Sequence, residues 1–322
     1  LAQMALASGL YAAPVRGVTR LPAVGLWSPE HGVTCPVAFG EIENPVVITF
    51  YRSFLVAADL EPIKALFDAF RANGRTVVGV FAPSLKQPEA ASWIKRQLQF
   101  LKPAAIVNAT SFSGRGVDGT SPLDATEAPV FQVALSTARV KDWKIAERGL
   151  SPADLAMHVV LPEVDGRVFA GIVSAKEPAK KDHDLEYARF EHTPVADRID
   201  RVVSRVEKWI SLQNTATANT ALVLSTYPGK AYQIAHAVGL DAIQSCRAIV
   251  EDAGLGDADL LGDLGQRLQS EVLTWSVTDY TIALESLPIE LRDQLHEAWG
   301  DIAQDQYVQN GEFQFPALRV GN

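Results

Sequence analysis

The sequence predicts an α/β protein of two open parallel-sheet domains, with a β-hairpin in the connection between them. Three observations predict it. From Pro45 onward, short apolar and β-branched runs alternate with amphipathic helical patterns, which is the signature of βαβ units and a parallel sheet. The length of 322 residues is a prior for about two domains of roughly 150 residues each. The hydrophobic fraction, 48%, is enough to build real cores.

The elements follow in order. Residues 1–44 read as an N-terminal helix and linker. "PVVITFY" (Pro45–Tyr51) is a buried strand, apolar and β-branched. Asp59–Gly74 is a helix with Pro62 in its first turn, Gly74 at its stop and Ile63, Leu66, Phe67 and Phe70 on one face. Arg75–Ala82 is a second strand, Pro88–Lys102 a second helix, Ala104–Ala109 a third strand and Pro129–Leu135 a fourth. Val140–Met157 is helical with a break at Gly149–Pro152. His158–Ser174 reads as two strands around an Asp165–Gly166 hairpin turn, and Asp184–His192 as a further strand. The first α/β domain with its hairpin extension is therefore 45–196. The second, 197–322, starts with a long amphipathic helix, Asp197–Asn214, whose Ile199, Val202, Val203, Val206 and Ile210 share a stripe. A buried strand at Thr220–Ala231 and helices at Gly239–Gly254 and Ser286–Asp301 follow. Both domains read as flavodoxin- or Rossmann-like, the second cut short at its C-terminus. Both ends of the chain look truncated, so a fragment of a longer protein is expected.

Composition excludes several functions. The 29 basic and 38 acidic residues give a net charge of −9, which argues against nucleic acid as a partner. No apolar run approaches the ~20 residues of a transmembrane helix, and no signal peptide is evident. Cys35 and Cys246 are far apart and fit reduced thiols in a cytoplasmic protein. The six histidines show no metal-ligand spacing. No GxxxxGK[ST] loop and no GxSxG elbow exists.

In open parallel sheets, ligands sit beyond the carboxyl ends of the strands. Three loops are placed there: Tyr51–Asp59, the long Ser/Thr/Asn/Gly stretch after Ala104–Val107, and Ser225–Asp241. Small polar side chains at such a place offer donors and close backbone approach. Arg52 either pairs with a surface acid or meets a ligand. Asn108 either caps its own loop or faces the crevice. His236 and His158, the latter near Glu163 and Asp165, are the histidines best placed for proton transfer, although the two acids also suit a plain turn.

Specific strings now carry more than patterns do. "YRS", "SLKQPEAA", "NATSFSGR", "SPLD", "PVFQV", "RGLSPADLAMHVVLPEVDGR", "LVLSTYP…VGLDA", "LPIELRDQLHEAWGD" and "FQFPALRVGN" occur in that order. Together they resemble the large subunit of cobaltochelatases of the CobN type, related to the large H subunit of magnesium chelatase, over about Ala23–Asn322. The resemblance implies an ATP-dependent ligase that forms nitrogen–metal bonds in cobalamin biosynthesis. Cobalt(II) enters hydrogenobyrinic acid a,c-diamide, a corrinoid tetrapyrrole. No cofactor is expected on this segment: cobalt(II) is a substrate, and ATP and Mg belong to AAA+ partner subunits. The fragment alone is expected to be inactive. The resemblance implies Arg52, Ser53, Asn108, Ser111, Arg115 and Tyr227 as substrate-binding residues, with the arginines pairing to the macrocycle's acid groups. It implies His158, Glu163 or His236 as the base that takes pyrrolic protons. Ala235 and His236 stand where the family carries small, flexible residues, which sets the third loop apart. A magnesium or other metal chelatase-like protein, or a scaffold that docks the ATPase subunits, are the alternatives.

Overall fold

The computed structural model describes residues 20–40, 42–146, 149–181, 183–184, 186–213, 220–225 and 239–320. The chain divides into two compact units, Leu1–Ala216 and Thr217–Asn322.

The first unit is built on an eight-stranded sheet. Its strands are β1 (Gly25–Ser28), β2 (Gly32–Thr34), β3 (Val46–Tyr51), β4 (Val77–Ala82), β5 (Ala105–Asn108), β6 (Val130–Leu135), β7 (Val168–Pro178) and β8 (Phe190–Pro194). They lie in the order β2-β1-β4-β3-β5-β6-β7-β8. The five central strands, β4-β3-β5-β6-β7, are parallel. The edges are antiparallel: β1 pairs with β4 and β2, and β8 with β7.

The period of two along each strand explains the unbroken apolar runs. In β3, Val46, Ile48 and Phe50 enter one core cluster, while Val47 enters the cluster on the other face. The first face is covered by two helices. Glu61–Ala72 buries Ile63, Leu66, Phe67 and Phe70 at i, i+3, i+4 and i+7. Ala196–Gln213 buries Ile199, Val202, Val203, Val206 and Ile210 in the same cluster. Pro88–Leu101 covers the other face through Ala90, Ile94, Leu98 and Leu101. The parallel part is thus a doubly wound sheet, as the alternation predicts.

Four expectations change. The N-terminal linker contains the β1–β2 hairpin, held at the sheet edge by buried Leu26 and Trp27. The Asp165–Gly166 turn does not join two strands. His158–Val164 is helical, a π-helical turn Ala156–Val160 running into Leu161–Val164, and only Val168 onward is a strand. The stripe expected to start a second domain closes the first one, and Arg75 forks onto Glu207 of that helix at 2.7 and 3.0 Å. The second unit is not a parallel sheet among its described residues. Its strands β9 (Val272–Ser276), β10 (Val308–Gln309) and β11 (Glu312–Pro316) pair antiparallel in the order β10-β11-β9. Thr220–Ser225 forms no strand. Its Leu224 instead packs with Cys246, Val250, Leu261 and Leu264 in a small cluster of that unit.

Candidate functional site

In the parallel sheet, the strand order reverses between β3 and β5, because the chain leaves β3 toward β4 on one side and β5 toward β6 on the other. The carboxyl ends of β3 and β5 therefore border the crevice where such sheets bind ligands. The first two sequence-predicted loops start from these two strands, but the first, Tyr51–Asp59, is mostly a short helix, Arg52–Ala57, and only the second is a long loop.

At these strand ends lies a buried polar network. Asn108 Oδ1 accepts from Thr49 Oγ1 at 2.7 Å, Thr110 Oγ1 at 2.8 Å and Thr110 N at 3.3 Å. Its Nδ2 donates to Gln132 Oε1 at 2.7 Å, and Gln132 Nε2 donates to the carbonyls of Thr110 and Val133. All four side chains are buried, so each needs these partners. Asn108 is a clamp across β3, β5 and β6 and its own loop, the capping arrangement read from sequence.

The long loop above it is tightly tied. Tyr51 Oη donates to the Ser111 carbonyl at 2.6 Å, bridging the ends of β3 and β5. Phe112 N donates to the Met157 carbonyl at 2.7 Å. Asp165, whose carboxylate is buried, accepts from Ser113 Oγ at 2.8 Å and Gly114 N at 2.6 Å. Arg115 Nε lies 3.4 Å from the same carboxylate. A side chain at Gly114 would be tight: a Cβ would come within 3.1 Å of Leu85 Cδ1 and 3.2 Å of Ser121 Oγ, so those side chains would have to shift. Asp118 and Ser121 hold the rest of the loop through Thr120 and Leu123. Arg115 stays about half exposed, so its guanidinium can still meet a ligand.

On the β3 side, Arg52 donates from Nε to the Pro22 carbonyl at 2.7 Å and from Nη2 to the Leu21 carbonyl at 3.0 Å. It braces the N-terminal segment through two carbonyls rather than pairing with a surface acid. Ser53 is exposed beside it.

A cluster of titratable groups adjoins the loop. His158 is buried on the π-helical turn, and its Nδ1 has no hydrogen-bond partner. Burial pushes its pKa below the ordinary 6.5, with a further push from His192, while Asp154 opposes both. The imidazole is therefore neutral at pH 7. Asp154 is fully buried and accepts from Ser136 Oγ, Thr137 N and Thr137 Oγ1 at 2.9–3.0 Å. His192 Nδ1 sits 2.8 Å from Asp59 Oδ2, and its backbone N donates to Asp59 Oδ1 at 2.8 Å. Phe54 stands edge-on to the His192 ring. Sequence reasoning missed His192, Asp59 and Asp154. Nothing local marks them, since Asp59 and His192 are 133 positions apart.

Glu163 is exposed on the short helix after the π-helical turn. His236 and Tyr227 lie outside the described residues. Among the described residues, no group of three or more His, Cys, Asp or Glu side chains could hold a metal, and no helix is long and apolar enough to cross a membrane.

Comparison with known proteins places this geometry in a family. The family model "CobN/Magnesium Chelatase" matches residues 12–322. An aerobic cobaltochelatase subunit CobN from a Sinorhizobium species is 29% identical, over 92% of this chain and 26% of its own. The Pseudomonas aeruginosa subunit of the same name is 28% identical, over 94% and 26%. The H subunit of magnesium chelatase from Rhodobacter capsulatus is 25% identical, over 70% and 20%. Among solved structures, the catalytic subunit of cobaltochelatase from Mycobacterium tuberculosis shares the fold. Its TM-score is 0.67 at 24% identity, covering 98% of this chain and 28% of that one. The chain thus spans about a quarter of the length of the cobaltochelatase relatives it matches. On the match of nearly its whole length, the chain belongs to the CobN/magnesium chelatase family.

Proposed function

We propose that this chain is the tetrapyrrole-binding segment of the large subunit of an ATP-dependent cobaltochelatase. In this reading cobalt(II) enters hydrogenobyrinic acid a,c-diamide, and AAA+ partner subunits hydrolyse the ATP. One observation carries the proposal. Three segments of the family resemblance, Tyr51–Ser53, Asn108–Arg115 and Gly149–Arg167, the last lying within its most specific string, are joined by direct bonds at one end of one sheet. Tyr51 binds Ser111, Phe112 binds Met157, and Asp165 binds Ser113 and Gly114.

Each part has a chemical role. Arg115 offers a half-exposed guanidinium for an acid group on the macrocycle's rim. Ser53 and Ser111 add hydroxyls at the two sides of the crevice. Inserting a divalent metal releases two protons from the pyrrolic nitrogens, so a base with an available lone pair must accept at least one. His158 is such a group, and its position next to the Asp59–His192 pair gives a proton a second imidazole to move toward.

The test is a titration of the chain with hydrogenobyrinic acid a,c-diamide, following the macrocycle's visible band and tryptophan fluorescence. Saturable binding at one macrocycle per chain is expected, and weaker binding by Arg115→Ala. No binding would leave this segment as a scaffold, a reading favoured by the internal bonds of Arg52 and Asn108. Preference for a porphyrin over the corrinoid would move the assignment toward the magnesium enzymes.

A further inference from the structure

Phe112 is held in an unusual way. Its φ is +67°, a left-handed conformation that is rare for a bulky residue. Asn44, Ala58, Lys102, Glu186 and Asn310 also have positive φ: Ala58 and Lys102 each end a helix, where that conformation is common, asparagine favours it, and Glu186 is an exposed turn residue. Phe112 ends no helix. Such strain persists only where the surroundings over-determine it, and it collects at ligand clamps. The surroundings do so here: the carbonyl before Phe112, its own N–H, and the two residues after it are all bonded, to Tyr51, Met157 and Asp165.

This fixing does nothing to bury the ring. Phe112 is 48% exposed and belongs to neither core cluster of its unit. A ring that stabilised the fold would be inside, since burying it is where its stabilisation comes from. The same end of the sheet also exposes Leu155, Val160 and Leu161 on the helical segment after β6. Arg115 follows Phe112 by three residues on the same loop.

We propose that Phe112 is a platform on which the conjugated face of the tetrapyrrole stacks, with Arg115 meeting an acid group at its edge. This rests on the tetrapyrrole reading above and deepens it by naming the residue that meets the macrocycle's apolar face. An aromatic face attracts a flat conjugated ligand through apolar burial and offset stacking. A half-exposed, rigidly presented ring meets such a ligand without a further loss of loop freedom on binding.

The experiment titrates hydrogenobyrinic acid a,c-diamide into the wild-type chain and into Phe112→Ala, Phe112→Gly and Phe112→Trp, and records thermal unfolding of each without ligand. The proposal expects both small substitutions to weaken binding about tenfold or more, ~1.4 kcal/mol, and Phe112→Trp to retain it. It also expects Phe112→Gly to melt at or above wild type, because glycine accepts the left-handed backbone without strain. Wild-type binding with Phe112→Ala within twofold would overturn the platform and leave the tetrapyrrole reading standing. Lost binding with both small variants melting well below wild type would make the ring a structural prop and overturn it too. No binding by wild type would overturn both.

Discussion

His158 combines burial, a missing partner and a neighbouring imidazole. Its folded pKa lies below the ordinary 6.5, through burial first and His192 second. The unfolded chain therefore binds a proton that the folded one resists. Stability is fully present above pH 6.5 and falls as the pH drops from there through the folded pKa. Thermal melts at pH 7.5 and 5.0 check this: wild type loses more stability than His158→Leu over that interval. At pH 7.5, His158→Leu should melt at or near wild type, because the unpaired Nδ1 it removes costs ~1–3 kcal/mol. Asn108 is the opposite case. Asn108→Ala strands buried groups on Thr49, Thr110 and Gln132, and a loss of about 3 kcal/mol in urea unfolding is expected.

Between His158 and Asn108 lies the difference in what sequence can say. Both stand out in the sequence as candidate site residues. Local chemistry could name Asn108's capping role, because its partner Thr110 is two residues away. It could not reveal that Gln132 and Thr49 complete the network from other strands.

Among the elements, the loop after β5 shows how a long polar stretch becomes rigid. Its middle is held by one carboxylate on another segment, Asp165, reached through Ser113, Gly114 and Arg115. Asp165→Ala should therefore loosen residues 113–120 specifically. Limited proteolysis should find new cleavage there, and Asp165→Asn, which keeps an acceptor, should show less. The turn signal at Asp165–Gly166 is legible, but the hairpin it suggests does not form. A short β-branched run such as "HVV" suits a strand and a helix alike, and period alone does not separate them. Anchoring of Asp154 to Ser136 and Thr137 at the end of β6 favours the helix. The segment "ALVL" after residue 220 differs from its expectation in another way: it pairs with no strand among the described residues, and its Leu224 packs into a side-chain cluster instead.

For the whole molecule, the boundary between units follows from which core takes the Ala196–Gln213 helix. Val202 and Val206 are fully buried in the first core, and Glu207 pairs with Arg75 there. A chain ending at Ala216 should fold cooperatively, whereas one ending at Val195 should not, as read by circular dichroism and urea unfolding. The acidic balance belongs to this scale as well. It gives no broad basic surface to attract a polyanion.

The sequence by itself determined the parallel core, its main helices, and the long loop after β5. These depend on periods of two and 3.6 and on turn residues, all of which are local. The family was legible too, because its strings are long and ordered. Only the tertiary structure decided the strand order that creates the crevice and the union of Asp59 with His192. It also decided the engagement of Arg52 with Leu21 and Pro22, and the strained exposure of Phe112. Each of these depends on contacts between residues distant in sequence or on a backbone held from outside its own segment, and no local pattern encodes such a contact.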